Sequence, residues 1–211
     1  MKKQNKRPIG QILLDGGYLS PRELELALEE QRKTNELLGQ VLVRMGVLDP
    51  ADLKAALSIQ VYLGKPEDAV RAAAGVRKKL GELLIQAGQI TDKQLDKALA
   101  EQEETGEKLG EILIRSGLLT ERQLTGVLDF QQNQSALKPS PLRLGEILIS
   151  AGYLTRKQLD DALYKQTFSG KKLGEVLVEE GHAERHHIHH GIRLQHMLIT
   201  AALVSLLAAC G

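Results

Sequence analysis

Apolar residues recur along this chain with helical spacing, in a pattern that appears six times. Counted from a glycine, each copy has apolar residues three and four positions later, and Leu or Ile fourteen and eighteen positions later. Spacings of three and four place side chains on one face of an α-helix. No run alternates with the period of two that is typical of a strand, so the pattern predicts an all-α fold.

Two glycines, seven positions apart, divide each copy into two predicted helices. The first glycines are Gly10, Gly39, Gly81, Gly110, Gly145 and Gly174, and the second are Gly17, Gly46, Gly88, Gly117, Gly152 and Gly181. Glycine can take the left-handed conformation that ends a helix, so the second glycine predicts the end of a short first helix. Capping boxes predict the start of the second helix at Ser20/Glu23, Thr91/Gln94, Thr120/Gln123 and Thr155/Gln158.

The spacing of the first glycines groups the six copies, which we call motifs, into three pairs. Within a pair the spacing is 29 residues, and between pairs it is 42 and then 35. The sequence therefore predicts three tandem modules of two helix-turn-helix motifs each, at 5–63, 76–134 and 141–196, followed by an apolar tail at 197–211. Residues 64–68, with one Gly and one Pro, and 138–141, with two Pro, have the composition of short linkers.

Three repeated positions suggest a ligand rather than a core alone. The first glycine stands near a helix start, where Gly costs roughly 0.5–1 kcal/mol relative to Ala but would let a phosphate approach. Two residues earlier, four motifs carry a cation that is unfavourable beside the positive end of a helix dipole. The third position, 21 residues after the glycine, is Gln in all six motifs, and Gln can both donate to and accept from a nucleobase edge.

Composition excludes several classes of function. A net charge of +1 gives no field that would recruit nucleic acid, and two Phe, four Tyr and no Trp leave little for base-stacking platforms. We therefore predict no DNA or RNA partner. The single cysteine excludes a disulfide framework and indicates a reducing cytoplasm, and the apolar run at 9–14 is too short for a signal peptide. Without a phosphate-binding loop or a catalytic grouping, the chain is predicted not to be an enzyme and to need no cofactor or metal.

The paired motifs resemble the MshEN domain, the N-terminal cyclic di-GMP-binding region of type II secretion and type IV pilus assembly ATPases. The resemblance covers about nine-tenths of the chain, as three modules without the ATPase domain. It implies that each pair of motifs wraps one cyclic di-GMP. The leading basic residue and the leucines would contact the bases, the Leu–Gly backbone would lie close to the ligand, and the Gln would supply hydrogen bonds.

The resemblance assigns ligand contacts to the second and third modules. In the second module they are Lys79, Leu80, Gly81, Leu95, Leu99, Gln102, Lys108, Leu109, Gly110, Leu124, Leu128 and Gln131. In the third they are Arg143, Leu144, Gly145, Leu159, Leu163, Gln166, Lys172, Leu173, Gly174, Ile188, Ile192 and Gln195. The family's leading residue is typically Arg, which only Arg143 supplies. The first module has Pro8 and Leu37 there, so it is predicted to be degenerate.

The function implied is a non-catalytic receptor or adaptor that relays cyclic di-GMP to a protein partner in a secretion, pilus or exopolysaccharide system. Two alternatives stay open: a nucleotide-independent docking adaptor of a type II secretion-like system, and a scaffold tethered to the membrane by the tail. The tail itself could be a helix packed on the third module, a weak membrane anchor, or the start of a further domain. The six histidines between His182 and His196 are predicted to lie on a solvated helix.

Overall fold

The computed structural model describes residues 7–60, 62–63, 78–133 and 141–210. Within these ranges the chain is all-helical, with twelve α-helices and no strand. The helices are α1 (Ile9–Asp15), α2 (Pro21–Thr34), α3 (Leu38–Arg44), α4 (Pro50–Gln60), α5 (Leu80–Gln86), α6 (Asp92–Thr105), α7 (Leu109–Arg115), α8 (Glu121–Asn133), α9 (Leu144–Ala151), α10 (Arg156–Ser169), α11 (Leu173–Glu179) and α12 (Arg185–Cys210). The predicted linker residues 64–68 and 138–140 lie outside the described residues.

Short and long helices alternate along the chain, and local signals set their ends as predicted. The second glycine of every motif has a φ between +68° and +86° and follows the end of a short helix. At the starts of α2, α6 and α10, the hydroxyls of Ser20, Thr91 and Thr155 accept a hydrogen bond from the backbone N–H three residues later. The start of each long helix is thus set within about one turn after the second glycine of its motif.

The sequence indicated apolar core residues three and four positions after the first glycine of each motif, but the buried pair lies one position earlier. The residues two and three positions after the first glycine are almost fully buried in all six motifs, as in Ile12 and Leu13 or Ile147 and Leu148. The residue four positions on, such as Val178, is only half-buried. A second buried position, 17 after the glycine, is always small: it is Ala27, Ala56, Ala98, Val127, Ala162 or Gly191. Small residues there let the long helices approach their neighbours closely.

The C-terminal helix α12 is the longest helix described and lies at the centre of the fold. It packs against α1, α4, α8, α9 and α11, which belong to all three predicted modules. One continuous hydrophobic core joins α12 to helices of every predicted module, and a smaller second cluster lies within the third. The predicted boundary at 196/197 therefore falls inside a single helix, and the apolar tail packs on more than the third module.

Polar side chains of the first and second predicted modules also bind α12. The Arg7 guanidinium donates to the hydroxyl of Ser205 at 2.7 Å, and Ser205 is 7% exposed. Gln86 donates to the His196 carbonyl and to the Thr200 hydroxyl. Among the described residues, α12 alone is long and apolar enough to cross a bilayer, but half of its most apolar window is buried inside the protein. In the described structure α12 therefore packs into the core, and it also has the length and composition of a helix that could cross a membrane.

Candidate functional site

Two adjoining cavities open on the third predicted module. The larger, of about 450 Å³, lies between α9, α11 and the first turns of α12, and the smaller, of about 270 Å³, lies between α9, α10 and α11. Leu144 and Leu173 line both cavities, so the two cavities are adjacent and share these two side chains.

The two cavities are built from the same positions of the repeat. Seven residues of the smaller cavity lie 29 positions before seven of the larger one. The matching pairs are Arg143/Lys172, Leu144/Leu173, Gly145/Gly174, Glu146/Glu175, Arg156/Arg185, Leu159/Ile188 and Leu163/Ile192. Each cavity also takes a leucine from the other motif. The site therefore has an approximate twofold symmetry that relates its two halves.

Ten of the twelve residues that the resemblance assigns to the third module line these cavities. Two of the apolar ones are open to solvent in the described structure, since Leu163 is 41% exposed and Ile192 is 49% exposed, whereas Leu159 and Ile188 are buried. An exposed aliphatic residue at this position of both motifs gains nothing from the core. Its exposed side presents an apolar surface, on each half of the site, against which a flat group such as a nucleobase could pack.

The first glycine of each motif has a packing role that the sequence did not indicate. A Cβ on Gly145 would lie 2.5 Å from Leu159 Cδ1, and one on Gly81 would lie 2.8 Å from Leu95 Cδ1. The same close contact, with Leu or Ile fourteen residues later, occurs in all six motifs. Glycine at this position thus allows the close contact between the short and long helices of a motif, because a methyl group would displace the Leu or Ile side chain. It does not by itself argue for a ligand.

The repeated Gln closes each pair of motifs into a ring. In every first motif, its side-chain amide donates to the backbone carbonyl three residues before the next motif's first glycine, as from Gln166 to Lys171 at 3.0 Å. In every second motif it reaches back to the same position of the first motif, as from Gln195 to Leu142 at 2.8 Å. The other four bonds are Gln31 to Glu36, Gln60 to Arg7, Gln102 to Glu107 and Gln131 to Lys78. Neither Gln166 nor Gln195 lines either of the two cavities described above.

The second predicted module repeats these contacts and, like the third, has a basic residue before each of its short helices. Gly81 and Gly110 pack on Leu95 and Leu124, and Leu99 is 39% exposed like its counterpart Leu163. Lys79 and Lys108 precede α5 and α7 as exposed N-cap residues, as Lys172 precedes α11. The aliphatic and basic positions assigned by the resemblance thus hold equivalent places in both modules.

Seven residues that line the cavities were not predicted from the sequence, and two of them are arginines. Arg156 and Arg185 are the first residues of α10 and α12, eleven positions after the first glycine of their motifs. Arg156 donates through both terminal nitrogens to the Glu146 carboxylate, at 2.6 Å each. The sequence signal was available, because arginine occupies this position only in the third pair of motifs.

Part of the histidine-rich segment faces inward, contrary to the prediction of a solvated helix. His190 Nε2 lies 2.6 Å from the Asp52 carboxylate, and its Nδ1 meets the Tyr153 hydroxyl. The ring of His187 stacks on Tyr153 with 4.5 Å between centroids. His186 and His189 stay exposed. The bridge joins α4 of the first predicted module to the third, and among the described residues no group of three or more His, Cys, Asp or Glu side chains could hold a metal.

Burial raises the pKa of the Asp52 carboxyl above its ordinary 3.8, and the hydrogen bond from His190 only partly opposes this. The folded chain therefore holds this proton more tightly than the unfolded chain does. As pH rises from about 4 through the raised native pKa, Asp52 should lower the free energy of unfolding. We expect Asp52→Asn to remove this part of the pH dependence, measured by urea unfolding of both proteins across that range. Identical pH slopes for the two proteins would contradict the expectation.

No protein-family model, curated protein or solved structure matches the chain. The resemblance to MshEN therefore depends on the repeated motif itself.

Proposed function

We propose that this protein is a non-catalytic receptor for cyclic di-GMP, bound at the paired cavities of the third predicted module. The observation that carries the proposal is the approximate twofold symmetry of those cavities. Cyclic di-GMP has the same symmetry, because two identical guanosine phosphates close its ring. Each half of the ligand would meet an equivalent set of side chains, with Leu144 and Leu173 between the halves.

The chemistry of the lining suits such a ligand. Leu163 and Ile192 present exposed aliphatic surface on which a guanine can lie, which matters in a chain that has few aromatic residues. Arg143 and Lys172 stand at equivalent edges of the two cavities and carry the positive charge that a phosphodiester requires. The guanidinium plane of Arg143 can also pair with a guanine edge, which an ammonium cannot do.

A route for the signal follows from the position of the site. α9 and α11 line the cavities, and both pack against α12, which also contacts the first and second predicted modules. A ligand held by both motifs would favour one arrangement of α9, α11 and α12, with a stabilisation of about 2.7 kcal/mol at a hundredfold excess over Kd. The partner that reads this change, in a cytoplasmic secretion, pilus or exopolysaccharide system, is proposed from the resemblance alone.

Calorimetric titration with cyclic di-GMP tests the proposal. We expect saturable binding, and we expect Arg143→Ala to weaken it by about tenfold or more through loss of a charge-assisted contact. Leu37→Ala is the matched control, because Leu37 holds the equivalent leading position in the first predicted module and should leave binding unchanged. Absence of binding at high micromolar ligand, or equal effects of the two substitutions, would contradict the proposal.

A docking adaptor that needs no nucleotide is the second candidate, and one observation favours it. Tyr164 and Phe168 stack edge to face on α10 and are 69% and 77% exposed, although aromatic residues are scarce in this chain. Exposed aromatic side chains are typical of protein interfaces. This function predicts co-purification of a protein partner with the full chain, lost on Tyr164→Ala/Phe168→Ala, and no thermal shift with any cyclic dinucleotide.

A further inference from the structure

We infer that Arg156 and Arg185 bind the phosphates of the ligand and thereby restrict binding to the third predicted module. The inference rests on the proposed function and concerns which residues give that site its specificity. The two arginines are equivalent residues of the two motifs, 29 positions apart. Each lines one of the two cavities, so together they place one guanidinium on each half of the site.

The same position has a different charge in each pair of motifs. Where the third has Arg156 and Arg185, the second has Asp92 and Glu121 at the first residues of α6 and α8. The first has Pro21 and Pro50. A carboxylate at this position would repel a phosphodiester, and a proline would leave it without a charged partner. Asp92 and Glu121 thus make the second pair of motifs unfavourable for the ligand. The positions that the resemblance assigns to ligand contacts are otherwise equivalent in the second and third pairs.

The present partner of Arg156 can be exchanged for a phosphate. Both side chains of its ion pair with Glu146 reach solvent, with 57% of the arginine side chain and 23% of the carboxylate side chain accessible. Because water and salt reach the pair, a phosphate that enters the cavity can compete with Glu146 for the guanidinium. Its planar fork suits two phosphate oxygens at once.

Arg185 needs no such exchange. It forms no ion pair within the part of the chain that the structure describes. The two carboxylates on its cavity already have other partners: Glu175 accepts from the Lys172 backbone N–H, and Glu179 pairs with the Lys171 ammonium. The positive charge of Arg185 is therefore available to an anion that enters the larger cavity.

Reciprocal charge exchange between the two pairs of motifs tests the inference in the full-length chain, by calorimetric titration with cyclic di-GMP. Arg156→Asp/Arg185→Glu gives the third pair the charges of the second, and we expect at least about a hundredfold loss of affinity. Asp92→Arg/Glu121→Arg makes the opposite change, and we expect the number of bound ligands per chain to rise. Arg156→Lys/Arg185→Lys, which keeps the charge but loses the fork, should give an intermediate affinity.

The control for net charge is Lys54→Asp/Lys97→Glu, which makes the same change at exposed residues of the first and second predicted modules, outside both cavities. It should shift affinity by no more than about twofold at 0.15 M salt, where exposed distant charges are screened. Circular dichroism melting of each variant confirms that the fold is retained. If the wild-type chain binds and Arg156→Asp/Arg185→Glu binds equally well, this inference is overturned and the proposed function stands. If the wild-type chain does not bind, both are overturned.

Discussion

Replacing Leu203 with alanine is expected to lower the free energy of unfolding by about 3 kcal/mol. Leu203 lies in the apolar half of α12 and is fully buried in the main hydrophobic core. The substitution removes buried aliphatic surface and leaves a cavity, because the helices that surround α12 can only partly collapse onto the space. Urea unfolding, followed by the helical circular dichroism signal, measures the change.

Leu57→Ala is the matched control for this prediction. Leu57 is the same residue type on a helix, but 46% of it is exposed. The substitution should therefore change the free energy of unfolding by no more than about 0.5 kcal/mol. If instead the Leu203 and Leu57 substitutions have equal small effects, α12 does not pack in the core, and a membrane anchor becomes the better interpretation of its apolar sequence.

Gly191→Ala is expected to destabilise the fold by about 1–2 kcal/mol through overpacking. Gly191 lies in α12 where that helix crosses α9, and a Cβ there would come 2.5 Å from Leu148 Cδ2 and 3.1 Å from Leu144 Cδ1. Leu148 is fully buried, so its side chain cannot move into solvent to relieve the contact. The energetic cost of this clash should exceed the roughly 0.5–1 kcal/mol by which alanine ordinarily stabilises a helix relative to glycine. The same urea unfolding experiment measures it.

Gly126→Ala should have the opposite sign. Gly126 also lies inside a helix that packs on α12, but a Cβ there would meet Cys210 Sγ and Leu206 Cδ1 at 3.4 Å, which is ordinary contact. With room for the methyl group, the gain in helix propensity remains, and we expect about 0.5–1 kcal/mol of added stability. Equal effects of the two substitutions would mean that α9 and α12 do not cross at Gly191.

The helices could be predicted from the sequence because their ends are set by neighbouring residues. The second glycines and the Ser and Thr caps act within one turn of the helices that they end or begin, so the repeat alone located them. The place of α12 could not be predicted in this way. Its apolar half fits a core helix or an anchor equally well, and its contacts with α1, α4, α8 and α9 are made by residues far apart in the sequence.

The repeat alone did not show which of its positions also have a packing role. Arg143, Leu163, Gly145 and their counterparts line the cavities, but the first glycine also packs on the next helix, and the Gln forms a hydrogen bond with the backbone. A residue repeated for packing leaves the same sequence signal as one repeated for binding. The contact between Gly145 and Leu159 crosses from one helix to the next, so it becomes visible only when both helices are placed.

The glutamine bonds have a consequence for how such a protein can originate. In each pair of motifs, the Gln of the first motif bonds to the start of the second, and the Gln of the second bonds to the start of the first. Such reciprocal contacts are the pattern of an isologous dimer interface. A single motif therefore carries both halves of its own interface. A peptide of about thirty residues could have self-associated through these bonds before gene duplication joined two copies into one polypeptide.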